Sequence, residues 1–188
     1  MKGVEEGIQR IHKLSDEALK MLTANMELVE VSKGELLFSP NRKHHYINFL
    51  EKGLVRAYSY HQEKEITFWF GLEGDVIFPY RTYLQDEIGY ETVECLEDCH
   101  IYRIPHSRFK ELFLKNLEWA NWGRKFAERQ MVFLEERFID YQFQSGAKRY
   151  DKLLKNRPEL FSRIKLQHLA SYLRMTQVSL SRIRAGIQ

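Results

Sequence analysis

The side chains best placed for chemistry stand near the end of the chain, at Gln177, Val178, Ser181 and Arg182. An amide, a branched apolar group, a hydroxyl and a guanidinium spaced this way share the outer side of a short helix, and each can contact a base edge in a DNA major groove. Thr176 supplies a hydroxyl that can cap that helix, and Leu180, Ile183 and Ile187 repeat at helical spacing along its inner side. Just before it, Leu166, Leu169, Ala170 and Leu173 fall at i, i+3, i+4 and i+7, the pattern of a second short helix with one buried face. Lys165 to Ile187 therefore reads as a helix-turn-helix whose second helix would enter a groove. The same pattern also fits an ordinary αα-hairpin packed on a core, and the turn carries Arg174 where such turns often carry Gly.

Charge favours the nucleic-acid reading. The whole chain has 29 Lys and Arg against 26 Asp and Glu, a net +3. Ser145 to Gln188 alone holds ten basic residues against two acids, a net +8, which leaves −5 for everything before Ser145. A basic terminal module on an acidic body fits a polyanionic partner for the module only. Lys165 and Arg174 join Thr176, Gln177, Val178, Ser179, Ser181 and Arg182 as candidate contacts to double-stranded DNA.

Other chemistries find less support. The two cysteines, Cys95 and Cys99, have no companion pair to complete a tetrahedral metal or iron–sulfur site, so they are structural thiols or a redox-sensitive pair. His44 and His45 are adjacent and would point to opposite faces of a strand, and no His-x-His with a following Glu suggests a metalloenzyme barrel. No catalytic residue, metal or cofactor is expected, and no His stands in a context that marks a haem ligand. No stretch is long and apolar enough to span a bilayer, and Met1 to Arg10 lacks a signal-peptide core; a cytoplasmic protein is expected.

What, then, positions the outer side of that last helix? Ser15 to Met26 reads as a capped amphipathic helix. Short β-type runs follow at Leu28–Val31, Leu36–Phe38, Tyr46–Glu51, Leu54–Tyr60, Glu65–Phe70, Val76–Phe78, Thr92–Cys95 and His100–Ile104, separated by turn signals such as Lys52-Gly53 and Glu73-Gly74-Asp75. Such spacing predicts a barrel, sandwich or roll. Ser107 can cap a short helix through Phe113, and a long helix free of Pro runs from about Leu117 to Phe143. Trp119, Phe126, Gln130, Phe133 and Arg137 form a seam along it at paired-helix spacing, while Met131, Leu134 and Phe138 form a second line suited to packing on the β body. The long helix thus pairs two copies of the chain or lies in the core of one.

Helix, β-roll, long helix and terminal helix-turn-helix, in this order, resemble the Crp/Fnr superfamily of bacterial transcription regulators. The stretches that carry the resemblance are Phe49-Leu50-Glu51-Lys52-Gly53-Leu54-Val55-Arg56, Gly74-Asp75-Val76, and Leu169-Ala170-Ser171-Tyr172-Leu173 followed by Thr176 and Leu180-Ser181-Arg182-Ile183. The resemblance implies an α+β chain in three parts. They are a cyclic-nucleotide-binding-like sensor domain over 1–116, of double-stranded β-helix or jelly-roll type, a long dimerisation helix over 117–144, and a winged helix-turn-helix DNA-binding domain over 145–188. It further implies a homodimer on a palindromic operator, with RNA polymerase as a further partner. Base-reading positions carry over to Gln177, Val178 and Arg182, and phosphate-contact positions to Thr176 and Ser179. Gln177 suits adenine and Arg182 guanine, whereas Val178 stands where many members carry Glu and can touch only a thymine methyl.

The sensing region departs further from the family. Gly74-Asp75 keeps an acid after the turn, yet Tyr90-Glu91-Thr92 replaces the Arg and hydroxyl residues that neutralise a cyclic phosphate, and Glu91 would repel one. Arg81 is nearby but wrongly spaced. Trp69, Phe78, Tyr80 and Tyr90 could line a pocket for another small-molecule effector, or simply be core. The expectation is a regulator whose effector is unknown and is not cyclic AMP; the alternative is a roll that still binds cyclic AMP or cyclic GMP.

Overall fold

The computed structural model describes residues 1–186; the Ile187 of the predicted inner face lies outside the described residues. Helices α1 (Lys2–Ile11) and α2 (Asp16–Thr23) lead into β1 (Glu27–Val31), β2 (Leu36–Phe38), β3 (Tyr46–Lys52), β4 (Val55–His61), β5 (Lys64–Gly71) and β6 (Val76–Ile77). Helix α3 (Tyr80–Gln85) interrupts the strands before β7 (Thr92–Cys95) and β8 (Cys99–Pro105). Then come α4 (His106–Lys115), the long α5 (Leu117–Phe143), α6 (Gly146–Asn156), α7 (Leu160–Arg163), α8 (Leu166–Tyr172) and α9 (Gln177–Arg184). The strands form two four-stranded sheets, ordered β1-β8-β3-β6 and β2-β7-β4-β5, a β-roll. Phe49 of β3 sits opposite both Tyr102 of β8 and Val76 of β6, so the phase of burial in one strand fixes that of its neighbours.

The chain divides into two compact units. The first comprises Met1–Ala57 and Phe70–Arg129. Its core packs Ile47, Phe49, Val76 and Ile104 of the sheet against Val4 and Ile8 of α1, Ala18 and Leu22 of α2, Phe109 of α4, and Trp119, Trp122 and Phe126 of α5. Both indoles also satisfy helix carbonyls: Trp119 Nε1 donates to Ala18 O at 2.9 Å and Trp122 Nε1 to Ile8 O at 3.0 Å. Neither α1 nor α3 is expected from the sequence. The Glu51 carboxylate, projecting from β3, accepts from the Val4 N–H (3.0 Å) and the Met1 amine (2.8 Å), doing for α1 what a local capping residue does elsewhere. Helix α4 begins one residue before Ser107 and uses no side-chain cap.

The second unit comprises Tyr58–Trp69, the tip of the β4–β5 hairpin, and the described residues from Gln130 onward. The tip turns through Gln62 and Glu63, both left-handed (φ 47° and 64°), the backbone a tight hairpin turn demands. Ser171 of α8 is its partner within the unit: the hydroxyl donates to Glu65 O and accepts from Thr67 N, both at 2.9 Å. Among the described residues after Ser145 there are helices and no strand, so the wing implied by the resemblance does not appear there.

Candidate nucleic-acid interface and effector region

Helix α9 is set by its two ends. Thr176 is its N-cap, with Oγ1 accepting from Ser179 N at 3.0 Å, and Ser179 Oγ lies 2.9 Å from the same oxygen. Leu180 is fully buried and Ile183 half-buried, which turns Gln177, Val178, Ser181 and Arg182 to the exposed side. On α8, Leu169 and Ala170 are buried together with Leu173 just beyond it, so the face predicted from spacing is the packed one. Arg174, in the turn, takes φ 51°, the left-handed conformation for which Gly is usual. Lys165 is exposed at the start of α8. All eight candidate DNA contacts therefore belong to the second unit and are exposed, and the side chains of α9 present donors, acceptors and a methyl pair on one surface.

The candidate effector residues are less coherent. Trp69 lies in the second unit and is half-buried. In the first unit, Gly74 (φ 85°) turns tightly between β5 and β6, and Asp75 Oδ2 closes that turn by accepting from Leu72 N at 2.9 Å. Phe78 is a core residue, stacked on Phe126 with centroids 5.1 Å apart, and exposed Tyr80 also stacks on it at 5.6 Å. Arg81 is held in an exposed ion pair by Glu87. Tyr90 is exposed, Thr92 is buried at the start of β7, and the Glu91 carboxylate folds back over Gly89. Phe78 and Tyr80 are thus brought together, while Arg81 is committed to a carboxylate.

Burial also redraws the long helix. Trp119 and Phe126 lie in the core of the first unit, 0% and 8% exposed, so these two members of the predicted seam cannot face a second copy. Gln130, Phe133 and Arg137 are half-buried in the second unit, where the Arg137 guanidinium lies over Phe133, Tyr141 and Tyr172. The line assigned to the β body, Met131, Leu134 and Phe138, is exposed, as are Val132, Ile139 and Phe143. Gly123 does not break the helix; a Cβ there would come within 3.0 Å of the Phe113 ring, so packing rather than flexibility calls for it.

Sequence reasoning assigns no role to Arg56 or His106, which lie in the first unit. Arg56 of β4 is buried and paired with Glu94 of β7 at 2.7 Å. His106 sits against His45, ring centroids 5.1 Å apart, and against Tyr83; burial and the neighbouring His45 and Lys110 hold its pKa below the ordinary value. Cys95 and Cys99 are free thiols, both buried, and Cys99 Sγ donates to Glu97 O at 3.3 Å. Among the described residues no three His, Cys, Asp or Glu side chains gather as a metal site would require, and no helix is long and apolar enough to cross a membrane.

With this geometry in view, residues 28–116 match the family model of the cyclic nucleotide-binding domain. Those residues are similar to cyclic nucleotide-binding domains. No curated protein sequence matches the chain. Solved structures extend the likeness beyond the domain. The c-di-GMP responsive global regulator CLP of Xanthomonas campestris is 14% identical, with a TM-score of 0.72 over 93% of this chain and 92% of that one. The catabolite activator protein of Thermus thermophilus is 14% identical, with a TM-score of 0.61 over 96% and 86%. FixK2 of Bradyrhizobium japonicum is 16% identical, with a TM-score of 0.72 over 86% and 84%. The fold of the chain is thus similar to that of these regulators.

Proposed function

We propose that the protein is a sequence-specific transcription regulator, a homodimer that places two copies of α9 in successive major grooves of a palindromic operator. Residues 1–116 serve as sensor, 117–144 as dimerisation helix and 145–188 as the DNA-binding helix-turn-helix. The observation that carries this reading is α9 itself: capped by Thr176, buried by Leu180, and exposing Gln177, Val178, Ser181 and Arg182 side by side. Gln177 pairs with adenine, Arg182 with guanine and Val178 with a thymine methyl, while Thr176, Ser179, Lys165 and Arg174 hold phosphates. The exposed face through Met131, Leu134 and Phe138, at i, i+3 and i+7, is the surface suited to pairing two long helices. RNA polymerase is the further partner. Selection from a random duplex library with purified protein tests the reading: a palindrome with half-sites about one turn, roughly 34 Å, apart is expected. Protein that enriches no sequence at low salt contradicts it.

The effector is a small molecule other than cyclic AMP. Arg81, the arginine that follows the sensing turn in sequence, is engaged by Glu87, and Glu91 adds a negative charge to the same stretch of chain. A second reading, a regulator that responds to cyclic AMP or cyclic GMP, draws on the match to the cyclic nucleotide-binding domain. Calorimetric titration with both nucleotides separates the two, since heat of binding at micromolar ligand supports only the second.

A further inference from the structure

Three arginines from separate elements converge on one aromatic ring in the second unit. The Tyr141 ring lies 4.2 Å from the guanidinium carbon of Arg174, 5.0 Å from that of Arg137 and 5.7 Å from that of Arg149. Arg137 also lies 4.2 Å over Tyr172, and the Tyr141 hydroxyl accepts from Arg137 and donates to Tyr172 O at 2.7 Å. Among the described residues none of the three pairs with a carboxylate; the neighbouring acids Glu136 and Asp140 hold Lys152 instead, at 3.5 and 2.7 Å. Arg149 spends its donors on the carbonyls of Gln144 and Leu173, Arg137 Nη1 is buried with no partner, and Arg174 is exposed. Ring quadrupoles and carbonyl dipoles offset part of the repulsion among three cations, but a buried guanidinium donor left unmade is costly.

We propose that Arg137, Arg149 and Arg174 form a seat for one phosphodiester of duplex DNA, an inference that rests on the DNA-binding reading above. Arg174 stands two residues before Thr176, the cap of the reading helix, so a strand phosphate beside that groove is the anion within reach. Guanidinium forks match phosphate oxygens. Arg137 and Arg149 brace the seat and add charge, while exposed Arg174 supplies the donors that meet the phosphate. Arg137 then acts on DNA rather than on a second long helix.

The test uses the full chain, the selected operator and an unrelated duplex, with binding followed by fluorescence anisotropy across a salt series. Arg174→Gln should make the dependence of log K on log salt shallower by about 1 for each subunit, with the same fold-loss on both duplexes. Arg174→Lys should restore the slope. Arg137→Gln should act in the same direction, its fold checked by circular dichroism. An Arg174→Gln variant that keeps the wild-type slope, or loses affinity for the operator alone, overturns the seat. Wild-type protein that binds neither duplex removes the DNA-binding reading itself, which distinguishes that failure from failure of the seat.

Discussion

Gly7→Ala in α1 should destabilise the protein, although helix propensity argues the reverse. In an exposed helix interior the change would stabilise by about 0.5–1 kcal/mol. Here a Cβ on Gly7 would lie 2.0 Å from the carbonyl oxygen of Gly74 and 2.7 Å from its carbonyl carbon and Cα. The obstacle is backbone on both sides, and Gly74 is itself pinned at φ 85° with Gly3 O and the Arg10 side chain against it, so neither partner can rotate away. Helix and turn must part by roughly 1.4 Å to reach ordinary contact at 3.4 Å. The upper limit is full detachment of α1, which exposes Val4 and Ile8 at about 1.5–3 kcal/mol each and strips Trp122 Nε1 of its acceptor for about 1–3 kcal/mol more. A partial shift, costed as overpacking, comes to about 1–3 kcal/mol. The expected net loss is about 2 kcal/mol, a fall in melting temperature of about 4–8 °C for a chain of this size. Thermal melts followed by tryptophan fluorescence would read it, with exposed Glu6→Ala as a control of little effect. A Gly7→Ala variant that melts at or above the wild-type temperature would show that the α1–Gly74 contact is loose and the reasoning wrong.

Three further outcomes follow from the site. Phe138→Arg, at a 62% exposed position, should convert a dimer to a 22.6 kDa monomer by light scattering without lowering monomer stability, whereas Phe126→Ala should cost about 3–5 kcal/mol as a core truncation; dimers surviving Phe138→Arg would place the interface elsewhere. Val178→Glu should move the selected half-site toward cytosine at one position, since a carboxylate accepts from the cytosine amine and Val cannot; an unchanged consensus would mean that Val178 does not touch a base. His106, depressed by burial and by the charges of His45 and Lys110 against the opposing pull of Asp86, binds its proton more weakly in the folded than in the unfolded chain. Stability should therefore rise with pH through the window ending near 6.5 and be lost as pH falls below it, and His106→Gln should flatten that stretch of the urea midpoint profile.

The parts of the fold written in local chemistry were legible. Alternation and turn residues located all eight described strands, and Thr176 capped the helix that its hydroxyl and the spacing of Leu180 and Ile183 marked out. Helix α1 escaped because its cap is Glu51, 47 residues away from Val4, and its buried face amounts to Val4, Gly7 and Ile8. In sequence Arg137 reads as a seam residue, Arg174 as a DNA contact and Arg149 as an ordinary surface charge; only the chain's path through α5, α6 and the α8–α9 turn sets all three on Tyr141.

The long helix shows why periodicity stops short of function. A seam of Trp and Phe at three-to-four spacing states that one face must be dry; the partner that dries it is not encoded in the spacing. In α5 that demand arises twice along one helix, and within the chain it is met once. Up to Phe126 the first unit supplies the partner, as the indole hydrogen bonds to Ala18 and Ile8 make plain. Beyond Gln130 the chain leaves Met131, Leu134 and Phe138 uncovered, an apolar line that solvent alone would penalise. In the proposed dimer a second copy of the same helix would dry that line by symmetry, without any new sequence feature. The residues proposed to decide dimerisation are accordingly the bare ones, and the aromatic content that first draws attention to the helix belongs mostly to its core half.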